Sequence, residues 1–533
     1  MQSDIHHVEF ILLFLMGLVA ALAALARRFH TPYLIVLVVG GLLVSLLPNA
    51  LPVSLNPDVV FLVLLPPLLF TTAYHTSWRD FRLNLVSILL LAFGLVGFTV
   101  VALATMSGWL LRGFDHRTGF VLGALLASTD AIAASAIAQR IGLPQRIIDV
   151  LEGESLVNDA TSLVALEFAV ALMVSNQVPT IEAGILHLTY LSTAGVLIGL
   201  LTGRVVQWGQ ARLSDAPIEV TITLAAPYLS YIAAESAHAS GVLATVACGL
   251  YLGYKRSQTL SMRARLQSSA IWSTLDFILN GLVFILIGLQ LPHILSRIKY
   301  LRLSTLLLDA ALLVAVLIAL RLIWVFAESW ISRAIGKLLK RPQLPVPSRE
   351  SFIVGWTGMR GVISLAAAIS LPELLDDGRA FPERNVLIFL KFSVILFTLV
   401  AQGLSLPFLI RKLGLATKVG ANGEERQARR HMLLAAITEL HNLSKAGVSE
   451  NSELLVDLLH HYQDRLDEAN IDSPSELAET ATYDQYRTLE NRMRTLERAT
   501  LLRLRDQNHI NDEVLRKLER ELHLLDARQL SIH

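Results

Sequence analysis

The sequence predicts an all-α membrane protein with about thirteen transmembrane helices arranged as two inverted six-helix repeats, followed by a helical cytoplasmic domain. Three observations lead there. The chain of 533 residues is 53% hydrophobic and only 17% charged, with a mean hydropathy of +0.54, outside the range of ordinary soluble domains. Its apolar residues come in long runs separated by short polar breaks, the pattern of a polytopic helical protein. Near residue 413 that pattern stops, and Glu, Arg and Leu take over at helical spacing.

The apolar runs cover roughly 8–26, 32–47, 58–74, 84–111, 118–139, 147–175, 185–206, 217–234, 239–254, 270–291, 303–331, 351–370 and 385–410. The first comes after MQSDIHH, which lacks the basic region of a cleavable signal, so it is read as a retained span. Loops after odd-numbered spans are rich in Lys and Arg (RRFH, HTSWRDFR, QRIGLPQR, KRSQTLSMRAR), whereas two loops of the opposite set, 176–184 and 235–240, have none. The loop HILSRIKYLR runs against this trend without reversing it. The positive-inside rule thus puts the N-terminus outside and the C-terminus in the cytoplasm. If spans 1–6 and 8–13 are repeats joined by span 7, the offset of seven inverts one against the other, and span 5 pairs with span 12.

The expected domains are residues 1–412 in the membrane, a polar junction at 413–423, and a helical regulatory or dimer-contact domain at 424–533. In the last, Leu489, Met493, Leu496, Thr500 and Leu504 form one stripe and Val514, Leu518, Leu522 and Leu525 another, with Ser473 and Asn511 as candidate helix caps. These stripes fit a core or a partner seam. Cys248, the single cysteine, excludes a disulfide within the chain and a multi-cysteine metal site. No nucleophile–base set or phosphate loop points to an enzyme, no cofactor is expected, and no nucleic-acid partner is expected; the lipid bilayer is. The histidines near span ends (His6, His7, His75, His187, His238 and His293) default to interfacial placement.

The candidate site lies where charge enters the apolar runs. A carboxylate at the centre of a membrane helix costs about 2.5–3.5 kcal/mol on insertion scales, so several in one span ask for a function. Span 5 reads GALLASTDAIAASAIAQR, with Asp130 near its middle behind Ser128 and Thr129. Span 6 carries Glu152, Glu154, Asp159 and Glu167. On a helix Ser155 and Asp159 share one face and Glu154 and Asn158 the neighbouring one, so one face is suited to an ion and the other to a structural ion pair. Span 12 reads FIVGWTGMRGVISLAAAIS, where Gly355, Gly358 and Gly361 around Arg360 weaken the helix. Arg360 is the preferred partner of Glu154, and Arg321 in span 11 the competing one. Glu152 and Glu167 read as interfacial. Asp130 and Asp159 are too deep and too short to snorkel. Asp, Ser, Thr and carbonyl oxygens suit a hard monovalent cation, and a carboxylate that holds either a cation or a proton makes the two compete.

STDAIAASAI, LEGESLVNDATSLV, GWTGMRGVISLAAAISLP, LPPLLF at 65–70 and GLVFILIGLQLP at 281–292, in this order, resemble the bacterial branch of the monovalent cation:proton antiporter family. The similarity runs over most of residues 8–412 and extends to the tail INDEVLRKLERELHLLDARQL. The resemblance implies a homodimer with a scaffold-like dimer domain and a mobile core in which spans 5 and 12 are unwound and cross. It implies Asp159 as the carrier of cation and proton, with Asp130, Thr129 and Ser155 completing a Na⁺ site, and Asn158–Asp159 as the pair of electroneutral exchange. Glu154 pairs with a core arginine. Two departures stand out: Thr71 and Thr72 come after LPPLLF where many relatives have an acid, and span 5 has Thr-Asp-Ala where many have Thr-Asp-Pro. Selection of K⁺, or of Na⁺ and K⁺ together, is the alternative to Na⁺, and a tail-gated cation channel the alternative of a different class. Small-ligand or tail–tail regulation is an open expectation for the tail.

Overall fold

The computed structural model describes residues 2–29, 31–47, 57–174, 181–213, 215–298, 301–338, 347–361, 363–375, 378–415, 423–445 and 457–463, with isolated positions at 466, 500, 503 and 507. The chain divides into two units, Met1–Thr417 and Lys418–His533. In the second, the helix Gly423–Lys445 is described; apart from Thr500, the expected stripes and caps lie outside the described residues.

The first unit is built of helices, and among the described residues its only β-pairing is an isolated bridge between Leu374 and Ala380. Helices α1 (Gln2–Arg28) and α2 (Tyr33–Ser45) are followed by α3 (Leu65–His75). Then come α4 (Val96–Leu110), α5 (His116–Ala127), α6 (Ile132–Ile141) and the long α7 (Gln145–Val174). The next four are α8 (Ile181–Gln210), α9 (Ala216–Ser236), α10 (Gly241–Thr259) and α11 (Met262–Leu289). The unit ends with α12 (Leu303–Leu338), α13 (Ser348–Trp356), α14 (Ile363–Ile369), α15 (Arg384–Phe397) and α16 (Gly403–Lys412). Among the described residues, seven helical stretches are long and apolar enough to cross a membrane. Many of their faces carry exposed large apolar side chains such as Leu200, Leu201, Leu308 and Ile323, which water would penalise and a bilayer does not.

Small residues let backbones approach where lipid offers no hydrophobic driving force. The α2–α11 contact uses Gly41 against Gly288, where an added Cβ on Gly41 would lie 3.3 Å from the Gly288 Cα. Wider, π-helical turns at Leu90–Leu95 and Thr398–Gln402 interrupt the helices leading into α4 and α16. The decisive interruptions are two full breaks, at 128–131 between α5 and α6 and at 357–361 between α13 and α14. The second contains the Gly-flanked Arg360. The first forms without a proline, because its loose ends find partners across the fold.

Candidate functional site

The two breaks cross. The Asp130 amide donates to the Met359 carbonyl at 2.8 Å, and a Cβ added to Gly361 would lie 2.7 Å from the Asp130 Cβ, so only glycine permits this approach.

Broken helix ends leave unpaired carbonyls and amides that hydrocarbon does not solvate. At the C-terminal end of α5, Arg360 Nη1 donates to the carbonyls of Ala127 at 2.8 Å and Ser128 at 3.1 Å. From α15, Lys391 Nζ donates to the Leu125 carbonyl at 2.8 Å. At the N-terminal end of α6, Asp130 Oδ1 accepts from the Ile132 amide at 2.8 Å, and Ser155 Oγ accepts from the Ala131 amide at 3.2 Å. Cations thus meet the negative end of one half-helix and a carboxylate the positive end of the other, each contact contributing about 0.3–2 kcal/mol. The Arg360 amide donates to Thr398 Oγ1 at 3.3 Å, joining the second break to the π-turn.

Helix α7 passes behind the crossing and presents two faces. On one, Asp159 Oδ1 accepts from Ser128 Oγ at 2.6 Å. On the other, Glu154 receives Arg321 Nη1 at 2.5 Å and Nη2 at 2.8 Å, both side chains almost wholly buried at 1% and 3% exposure. The same guanidinium uses Nε to reach the Val354 carbonyl of α13. Thr129 Oγ1 donates to Glu154 Oε1 and accepts from Asn158 Nδ2, both at 2.9 Å.

A cavity of about 370 Å³ opens beside the first face, and Asp130, Ser155 and Asp159 line it with Gly361. Glu154, Asn158, Thr129, Arg321 and Arg360 are absent from its wall. The structure therefore parts the residues expected from sequence into a cavity set and a buttress behind it. The expectation that Glu154 pairs with Arg360 is corrected: Arg321 takes both carboxylate oxygens, because Arg360 is drawn to the free carbonyls of the α5 end. Thr129 puts its hydroxyl into the buttress, and its neighbour Ser128 reaches Asp159 instead. Glu152 also lines the cavity, while Thr71, next after LPPLLF, turns its hydroxyl to the Pro67 carbonyl at 2.7 Å.

Sequence reasoning passes over Lys391, although a lysine within NVLIFLKFSVILF is the same signal that singles out the aspartates. It also passes over Asp276 and Asn280 of α11, which line the same cavity. Among the described residues no group of three or more His, Cys, Asp and Glu side chains is arranged to hold a metal ion; the carboxylate and hydroxyl oxygens here suit a transiently held hard cation.

Comparison with known proteins shows the family and the fold. The family model "Sodium/hydrogen exchanger, transmembrane" matches residues 12–412. A protein named as an uncharacterised Na⁺/H⁺ exchanger in Mycobacterium tuberculosis is 33% identical, covering 97% of this chain and 96% of its own length. A sodium, potassium, lithium and rubidium/H⁺ antiporter of Bacillus pumilus is 34% identical over 80% of this chain and 64% of its own. The sodium proton antiporter MjNhaP1 of Methanocaldococcus jannaschii superposes with a TM-score of 0.62 at 16% identity, covering 78% of this chain and 99% of that one, which establishes the shared fold. The chain belongs to the sodium/hydrogen exchanger family. It is a multi-pass membrane cation/proton antiporter, and its relatives are transporters rather than enzymes.

Proposed function

We propose that the protein exchanges cytoplasmic sodium for protons electroneutrally, by alternating access, with cation and proton competing for Asp159. The observation that carries this reading is the placement of Asp159 on the wall of this cavity, beside Asp130 and Ser155, with the Ser128 hydroxyl 2.6 Å from its carboxylate. The carboxylate takes one Na⁺ or one H⁺, each neutralising one charge, so a loaded site moves and an empty, charged one is held back by its desolvation cost. Asp130 and Ser155 supply further oxygens on the same wall. Asn158 and Thr129 act from behind, fixing Glu154 and the unwound segment.

The cavity is read as the cytoplasmic entrance. Tyr33 opens α2, His75 closes α3, and Glu152 and Ser273 stand toward the starts of α7 and α11. These elements have Arg27, Arg79, Arg82, Arg146 and Arg263 at or next to the same ends, the cytoplasmic set by the positive-inside rule. On this reading the chain faces inward, with the N-terminus outside and the C-terminus in the cytoplasm. About thirteen crossings in two inverted repeats, a homodimer, and a membrane domain, junction and regulatory tail at 1–412, 413–423 and 424–533 complete the proposal.

The second reading is exchange of K⁺ or of both ions, favoured by the range of ions in the name of the Bacillus pumilus relative. Purified protein in vesicles with an internal pH dye, challenged in turn with Na⁺, K⁺ and Li⁺, separates the two. Sodium-driven pH change that persists when the membrane potential is clamped supports electroneutral Na⁺ exchange; response to K⁺ alone replaces it with the second reading. Uncoupled, voltage-driven current contradicts both.

A further inference from the structure

Lys391 lies midway along α15, and its side chain is fully buried. A charge so deep in an apolar span ordinarily pairs with an opposite one. Lys391 does not. Among the described residues it forms no ion pair, and its Nζ donates to the Leu125 carbonyl at 2.8 Å.

That bond leads to the site by a short chain of contacts. Leu125 belongs to the last turn of α5, whose following carbonyls, Ala127 and Ser128, accept from Arg360. The Ser128 hydroxyl then donates to Asp159. Two turns beyond Lys391, about 10 Å along the helix, Thr398 accepts from the Arg360 amide. Helix α15 therefore grips both breaks, and the lysine is braced behind the crossing. It is absent from the cavity wall, so it does not touch an ion held there.

Its charge does reach the site. Arg360, Asp159 and Asp130 are the groups that interact with it electrostatically. The other elements packed on α15 add little. Helix α12 brings Arg321, which Glu154 holds, and α14 carries no charged residue. His116 and Arg117 stand at the far end of α5, and His293 and Arg297 of Leu291–Arg297 gather at the start of α15, beside Arg384. Burial works against an ammonium here, whereas two carboxylates and the negative end of α5 favour it. A like charge in so poorly screened a place opposes a cation arriving at Asp159.

We propose that Lys391 is a positioning residue that sets the strength of the cation site: its ammonium holds the end of α5 and weakens the grip of Asp159, so that a bound ion leaves readily. This inference rests on the antiport reading given above. Transport needs binding firm enough to load the ion and weak enough to release it on the far side. Lys391 tips that balance toward release.

The test is sodium-driven proton flux in vesicles at one fixed alkaline pH, with K⁺ run in parallel, for Lys391→Met, Lys391→Gln and Lys391→Arg. The first removes the charge at similar volume, the second keeps a donor for the Leu125 carbonyl without the charge, and the third keeps the charge. Expected is a fall of about tenfold in the apparent KM for Na⁺ in Lys391→Met and Lys391→Gln, with a maximal rate at or below that of the parent. Lys391→Arg stays near the parent, and sodium binding by equilibrium dialysis tightens in the two neutral variants by the same factor as KM falls. A lysine that only supports the fold gives another pattern, with KM unchanged or raised and Lys391→Gln closer to the parent than Lys391→Met. An unchanged or raised KM in a neutral variant that melts like the parent overturns the inference, and so does loss of cooperative melting in both neutral variants. Asp159→Asn is the separate control: full turnover by that variant overturns the antiport reading itself.

Discussion

Arg321 holds both carboxylate oxygens of Glu154, at 2.5 and 2.8 Å, in a pair that is 3% and 1% exposed. Two charges taken out of water recover their hydration only when geometry and further bonds are good. Here Thr129 adds a bond to Glu154 and Val354 accepts from Arg321, so the pair ties α7, α12, α13 and the first helix break together. Removing one partner strands the other: Arg321→Ala or Glu154→Ala is expected to cost about 3–5 kcal/mol. The thermal transition in detergent should fall sharply for each single variant and by less than the sum for Glu154→Gln/Arg321→Met. Parental melting of both single variants would contradict a structural role.

Gly361 is where one unwound segment passes over the other. With the Asp130 Cβ 2.7 Å from the position a methyl would take, Gly361→Ala forces the crossing apart at about 1–3 kcal/mol. Asp130 then leaves the Met359 carbonyl, and sodium-driven proton flux should drop at least tenfold. Gly17→Ala, where an added Cβ meets nothing within 4 Å, should leave it unchanged.

If cation and proton occupy one carboxylate in turn, acidity competes with sodium. The apparent KM for Na⁺ should rise as pH falls, approaching about tenfold for each pH unit once the protonated form dominates, while the maximal rate stays level. Separate sites would show a falling maximal rate at constant KM. Vesicle flux measured over a matrix of pH and Na⁺ concentrations distinguishes these.

Deletion beyond about residue 420 tests the regulatory expectation for the tail, because Lys418–His533, with its helix Gly423–Lys445, forms a compact unit of its own. Exchange is expected to persist with altered dependence on pH or ion concentration. Loss of all flux from a truncated protein that still melts cooperatively would contradict a purely regulatory tail.

The helices and the chemistry of the cavity were legible because hydropathy and buried charge are local properties. Asp130, Ser155 and Asp159 stand out as polar groups in apolar runs, and the glycines around Arg360 announce a weak helix. Partner choice was not legible. Sequence prefers Arg360 over Arg321, yet only the relative height of three distant helices decides that Arg321 meets Glu154. Likewise, an unwound segment has no fixed period, so nothing in the Ser-Thr-Asp run says that Ser128 faces Asp159 while Thr129 turns to Glu154. The break at 128–131 forms without a proline because Arg360 and Lys391, over two hundred residues away in sequence, satisfy its carbonyls.

The measurement that bears most directly on the central claim is sodium-driven proton flux by Asp159→Asn in vesicles, beside a melting curve of the same preparation. A protein that melts like the parent and moves neither ion is the predicted result. Robust exchange by that variant, with the parental dependence on pH, would place the carrier somewhere other than Asp159.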